Sequence, residues 1–184
     1  ELSCFPAPAI GMLAQCLAEL DLSHNPLSGA DFLSSPLELP KLQSLTLNAT
    51  GLTSWEPLLS NLVAPYLTFL DVSHNRLKGP LPYLRQTYPE LKTLVASDNQ
   101  IASLDFEAVK GLQVLELSNN DLDSLPPKIG LLAAGRSPRN WGNGSALRRF
   151  EVAGNRFRVP RWQVVAKGTD AILEFLRERI PIAD

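Results

Sequence analysis

The residue types of an acyl-transfer triad occur together in this chain: His24 and His74, Asp98, and Ser23, Ser73, Ser97 and Ser118. Such chemistry needs a nucleophile, a base and an orienting acid within hydrogen-bond reach, in a site that excludes water. Metal and nucleotide chemistry have less to build on. The only cysteines are Cys4 and Cys16, and neither C-x-x-C nor H-E-x-x-H occurs. No glycine-rich loop opens a helix after a strand, so no phosphate cradle is expected. The triad question therefore turns on what positions His74 and Asp98.

Both residues fall at the same place in a recurring stretch. Six segments align: LAELDLSHNPL from Leu17, LQSLTLNATGL from Leu42, LTFLDVSHNRL from Leu67, LKTLVASDNQI from Leu91, LQVLELSNNDL from Leu112 and LRRFEVAGNRF from Leu147. They fit L-x-x-L-x-L-x-x-N-x-L, with start-to-start spacings of 25, 25, 24, 21 and 35. Within each, two apolar residues stand two apart: Leu20/Leu22, Leu45/Leu47, Leu70/Val72, Leu94/Ala96, Leu115/Leu117 and Phe150/Val152. A spacing of two puts both on one side of a strand. One short strand cannot bury that side alone, so the copies are expected to stack as a parallel sheet around one interior.

Stacking decides the chemistry. His24 and His74 lie in one column two strands apart, roughly 10 Å, too far to ligate one metal directly. His74 can meet Asp98 on the next strand, but an open sheet face offers no pocket that keeps water out. The chain reads as a binding module, not an enzyme, with no cofactor.

The pattern resembles the leucine-rich repeat. That resemblance implies an α/β solenoid: a right-handed superhelix with a parallel concave sheet and a C-terminal capping helix. It also implies that the ninth-position amides of Asn25, Asn75, Asn99, Asn120 and Asn155 bond backbone groups of the turn. Thr50 takes that place in the second repeat, where a weaker turn is expected. LKGPLPYL, after Asn75, resembles the 24-residue repeats of plant receptors, whereas LDSLPPKIGLL, from Leu122, resembles intracellular repeats.

The chain divides into three parts. LSCFPAPAIGML, Leu2–Leu13, matches LDSLPPKIGLL with one extra residue, so residues 1–16 read as the second half of an upstream repeat. Residues 17–158 hold the repeats, with an aperiodic insertion at about 133–146 that carries Trp141 as a candidate contact. Residues 159–184 read as a cap. Ile172, Phe175, Leu176 and Ile180 form one helical stripe, Thr169 is the expected N-cap, and Pro181 stops the helix. KGTDAILEFLRERIP, Lys167–Pro181, resembles the K-G-T-x-A-I/V-L-E-F/Y-L-R-x-R-I-P ending of a eukaryotic group of intracellular leucine-rich-repeat proteins. The resemblance implies a cytosolic or nuclear scaffold, and the low cysteine count agrees. The alternative is a secreted protein or receptor ectodomain, for which LKGPLPYL and two N-x-S/T triplets, at Asn48 and Asn143, speak. An adaptor or regulator of an enzyme complex fits the same surface.

Outward strand positions are expected to carry the partner. Phe69, Val95 and Val114 are apolar where solvent is expected, on three consecutive strands. Asp71, Glu116, Arg149 and Glu151 would surround them with charge, and His74 and Asp98 lie beyond. An apolar centre with a charged rim is the layout of a protein interface. A second candidate is basic: Arg136, Arg139, Arg148, Arg156 and Arg158. An acidic protein tail, a phosphorylated peptide or RNA would fit it, although a solvated surface is the plainer reading; Phe157 and Trp162 are expected in the core. Residues 1–132 hold 7 Lys/Arg against 14 Asp/Glu, and residues 133–184 hold 10 against 5, so the two surfaces differ in sign. The net charge of −2 and the absence of a long apolar run point to a protein partner, with neither nucleic acid nor membrane expected.

Overall fold

The computed structural model describes residues 5–27, 32–133 and 146–181. In chain order the elements are α1 (Ala7–Met12), β1 (Glu19–Asp21), β2 (Leu37–Glu38), β3 (Ser44–Thr46), α2 (Glu56–Asn61), β4 (Leu62–Val63) and β5 (Phe69–Asp71). There follow β6 (Lys78–Pro80), α3 (Leu84–Thr87), β7 (Thr93–Val95), β8 (Gln100–Ser103), α4 (Phe106–Val109) and β9 (Val114–Glu116). A 3₁₀ helix at Pro127–Leu132, β10 (Arg149–Glu151), α5 (Trp162–Val165) and α6 (Thr169–Arg177) complete the series.

Six strands form one parallel sheet in the order β1-β3-β5-β7-β9-β10, which is also their order along the chain. Leu20, Leu45, Leu70, Leu94, Leu115 and Phe150 are register partners from strand to strand. All but Leu20 are buried, and their companions Leu22, Leu47, Val72, Ala96, Leu117 and Val152 are buried beside them. Paired inward side chains thus share one interior, as their spacing requires, in a repeat solenoid-like α/β fold. Although 35 residues separate Val114 from Arg149, the two are direct partners, so the additional residues place no strand between β9 and β10.

The far side of the core is closed by different means in each repeat. Two small parallel pairs, β2–β4 and β6–β8, alternate with one- or two-turn helices. Tyr88 is fully buried there, and its hydroxyl donates to the carbonyl of Leu58 one repeat back. Burial raises the Tyr88 phenol above the usual tyrosine range.

The ninth-position amides tie neighbouring repeats together. Asn75 Nδ2 donates to Val72 O at 2.9 Å in its own repeat and to Leu47 O at 2.8 Å in the preceding one. Its Oδ1 accepts from Thr50 N at 3.1 Å and Leu52 N at 2.9 Å. Asn99, Asn120 and Asn155 repeat the arrangement, accepting from Leu77 N, Ile101 N and Leu122 N respectively. At Thr50 the hydroxyl donates to Leu47 O, and Leu27 N turns to the Thr50 carbonyl instead of a side chain. Backbone substitutes for amide at that one step.

Two expectations at the C-terminal end are corrected. Thr169 does not cap α6: Gly168 holds the N-cap position, and the Thr169 Oγ1 accepts from Phe150 N at 2.9 Å. The hydroxyl is drawn to an edge-strand donor that has no neighbouring strand. Trp162, expected in the core, is 74% exposed and lies outside it, while Phe157 is half-buried and packs against the core. The stripe of α6 does bury Ile172, Leu173 and Leu176. It packs so closely on the 3₁₀ helix that a Cβ at Gly130 would stand 2.4 Å from Arg177 N and 2.6 Å from Leu173 O.

Candidate interaction face

Each repeat brings its strand to an end with one left-handed residue. His24, Ala49, His74, Asp98 and Asn119 have φ between 53° and 57°, and Gly154 has φ 73°. These are the eighth positions, directly before the ninth-position residue. The turn that sends Asn inward demands this conformation, which non-glycine residues adopt at a cost. His74 and Asp98 therefore stand at the rim of the sheet face, on its turns. Sequence patterning alone leaves this backbone constraint unseen; the mixture of Asp, Asn and Gly at the position is its only trace.

On the face itself, Phe69, Val95 and Val114 are half-buried on three adjacent strands. They do not form one row. Phe69 and Val114 share a row with Thr93 between them, while Val95 stands in the next row between Asp71 and Glu116. The apolar atoms thus zigzag across the sheet, separated by polar side chains.

Charge is organised around them. Arg149 Nε lies 3.2 Å from Glu116 Oε1 and 3.6 Å from Glu151 Oε1, bridging β9 and β10. Asp71 accepts from Ser73 N at 2.8 Å and from Ser73 Oγ, and Asn48 Nδ2 donates to that hydroxyl at 2.7 Å. Ser73 is consequently buried. The same Asp–Ser pairing recurs at Asp21 and Ser23, and those hydrogen bonds hold the Asp21 carboxyl below the usual carboxylate range. His74 Nδ1 is 3.7 Å from Asp98 Oδ2, and Asp98 Oδ1 accepts from Asn119 Nδ2 at 3.0 Å. This pair is open to water, with the His74 side chain 59% exposed, so it behaves as a surface contact and not as a shielded base.

Three of the five basic candidates lie among the described residues. Arg156 Nε pairs with Asp121 at 2.9 Å, while Arg148 and Arg158 are exposed. Arg136, Arg139, Trp141 and Asn143 lie outside the described residues. Among the described residues no group of three or more His, Cys, Asp or Glu side chains lies close enough to hold a metal ion. None of the described helices is long and apolar enough to cross a membrane.

Repeats of this geometry, strand then asparagine-locked turn, define a class of solenoid modules. Residues 16–36 and 66–86 each match the Leucine Rich Repeat family model, and residues 89–127 match a model of two such copies. These segments are leucine-rich repeats. The chain is similar to human vasorin, with 35% identity over 132 residues, 66% of this chain and 19% of vasorin. It is also similar to two Arabidopsis thaliana proteins. Receptor-like protein 1 is 39% identical over 69 residues, 36% of this chain and 6% of that protein. Receptor like protein 23 is 27% identical over 146 residues, 77% and 14%. The aligned segments span less than a fifth of the length of each of these relatives.

Proposed function

We propose that this chain is the binding segment of a receptor-like leucine-rich-repeat protein, holding a protein partner on the outward face of its six-stranded sheet. The observation that carries the reading is the zigzag of Phe69, Val95 and Val114, framed by Asp71, Glu116, Arg149 and Glu151 on strands locked into register. A rigid face with apolar steps between fixed charges gives a partner both desolvation energy and orientation. His74 and Asp98 supply polar contacts at the rim.

The receptor-like relatives favour the extracellular alternative over the intracellular scaffold, which no relative named here supports. In this reading residues 159–181 cover the repeat that holds β10, since α6 packs on the 3₁₀ helix and Thr169 accepts from the Phe150 amide.

The test is affinity capture with chemical crosslinking, using the full-length protein from its native host. Phe69→Ala and Glu116→Arg each abolish capture of the partner that crosslinks to this face, while Lys128→Ala, on the far side, leaves it intact. Wild-type capture by both face variants would overturn the assignment. Glycan at Asn143 in the same material supports the extracellular setting, and an unmodified Asn143 opposes it.

A further inference from the structure

Beyond Phe150, whose amide Thr169 holds, β10 has no strand neighbour on its outer side among the described residues. Every preceding strand hands the same donors to its neighbour: Leu117 N reaches Glu151 O at 2.7 Å, and Asn119 N reaches Ala153 O at 2.8 Å. The equivalent donors of the last strand are Val152 N and Gly154 N. Phe150 N, two residues earlier on the same edge, is taken by Thr169 Oγ1, which fixes the direction in which this edge faces. Among the described residues no acceptor is recorded for Val152 N or Gly154 N. A cavity of about 460 Å³ lies against them, lined by Val152 and Gly154 on one side and by Phe157, Trp162 and Val165 on the other. The indole of Trp162 is 74% exposed, whereas Trp55 is buried.

The chain segment that forms the outer wall of this cavity is basic, although Glu151 lies in the lining itself. Residues 156–168 contain Arg156, Arg158, Arg161 and Lys167 and no acid. Arg156 is paired with Asp121, but Arg158, Arg161 and Lys167 are exposed, and each adjoins a cavity-lining residue in the chain. Glu151, the acid in the lining, is already held by Arg149.

The geometry points to an occupant of definite chemistry: an extended acidic peptide segment that adds to β10 as a seventh parallel strand. Its carbonyls take the places that Glu151 O and Ala153 O hold for β9, accepting from Val152 N and Gly154 N. One side chain facing inward packs on Phe157, Val165 and the Trp162 ring, and carboxylates face Arg158, Arg161 and Lys167. The ladder that stacks the repeats thus recognises a partner by continuing past the last one.

The test uses the present chain and two short fluorescein-labelled peptides, one of alternating valine and glutamate, the other of alternating valine and lysine. Binding is read by anisotropy, and amide exchange at Val152 and Gly154 by NMR. The glutamate peptide binds and slows exchange of both amides, and the lysine peptide does not bind. Trp162→Ala weakens binding about tenfold or more, as expected for a buried aromatic anchor. Arg158→Glu combined with Arg161→Glu abolishes it. All three positions are exposed, so wild-type thermal melting of these variants separates lost binding from lost folding. No binding of the glutamate peptide, equal binding of both peptides, or binding without protection of Val152 and Gly154 would each overturn the proposal.

Discussion

Replacing Asn99 by alanine removes four hydrogen bonds at once, yet their losses are unequal. Asn99 Nδ2 donates to Val72 O at 3.0 Å and to Ala96 O and Ser97 O at 3.2 Å. Val72 O keeps a donor in Asn75, and Ala96 O keeps one in Asn120. The amide of Leu77 has no such reserve. It donates to Asn99 Oδ1 at 3.0 Å, inside a repeat where Leu77 is fully buried. Leaving that donor unpaired costs about 1–3 kcal/mol, and the weakened carbonyl contacts bring the total to about 2–4 kcal/mol. The matched control is Asn155→Ala, whose amide is only half-buried and open to replacement by water; it costs about 1 kcal/mol or less. Urea unfolding followed by circular dichroism measures both, and native-state hydrogen exchange reads the Leu77 amide directly. Equal costs for the two variants, or unchanged exchange at Leu77 in Asn99→Ala, would refute the idea that one orphaned donor dominates.

Other outcomes follow from the same packing. Ala49→Gly raises stability by roughly 0.5–1 kcal/mol, because the φ of 54° strains alanine and the gain exceeds the added freedom of the unfolded chain; a lower urea midpoint would contradict it. Gly130→Ala forces α6 away from the 3₁₀ helix, since the new Cβ meets backbone, and costs about 1–3 kcal/mol; exchange protection of the α6 amides falls with it. Tyr88→Phe removes the buried hydrogen bond to the Leu58 carbonyl, at a cost of about 1–2 kcal/mol by urea unfolding. The Tyr88 phenol is also raised in the folded state only. The unfolded chain therefore releases that proton first, and stability falls as pH climbs past about 10; Tyr88→Phe flattens that part of the stability profile.

The sheet was legible in the sequence because period-two burial is a short-range rule. Leu45, Leu70 and Leu94 needed only spacing to be placed side by side, and Asn75 and Asn99 needed only their position in the repeat. The far side was less legible. Pairs such as β2–β4 and β6–β8 consist of two to four residues each, and nothing in ELPKLQ or LKGPLP separates a bridge from a loop. Spacing placed Phe69, Val95 and Val114 outward, but Ser73 is buried, its hydroxyl donating to Asp71 and accepting from Asn48 of the neighbouring repeat. Thr169 was misread for the same kind of reason. A cap is a local signal, and the unpaired amide of Phe150, nineteen residues away, outbid it. The exposure of Trp162 likewise depends on what does not pack over it, which no local pattern records.

The asparagine locks have a polarity. Each one sits in a later repeat and secures the amide of the earlier: Asn75 holds Leu52, Asn99 holds Leu77, and Asn120 holds Ile101. Peeling away a later repeat strips its predecessor of an acceptor for a buried amide. Peeling away an earlier one leaves the lock standing, still bonded within its own turn. Unravelling under force should accordingly proceed unevenly, with each detachment at the high-numbered end loosening the repeat beneath it, while the opposite end gives way without passing its loss along.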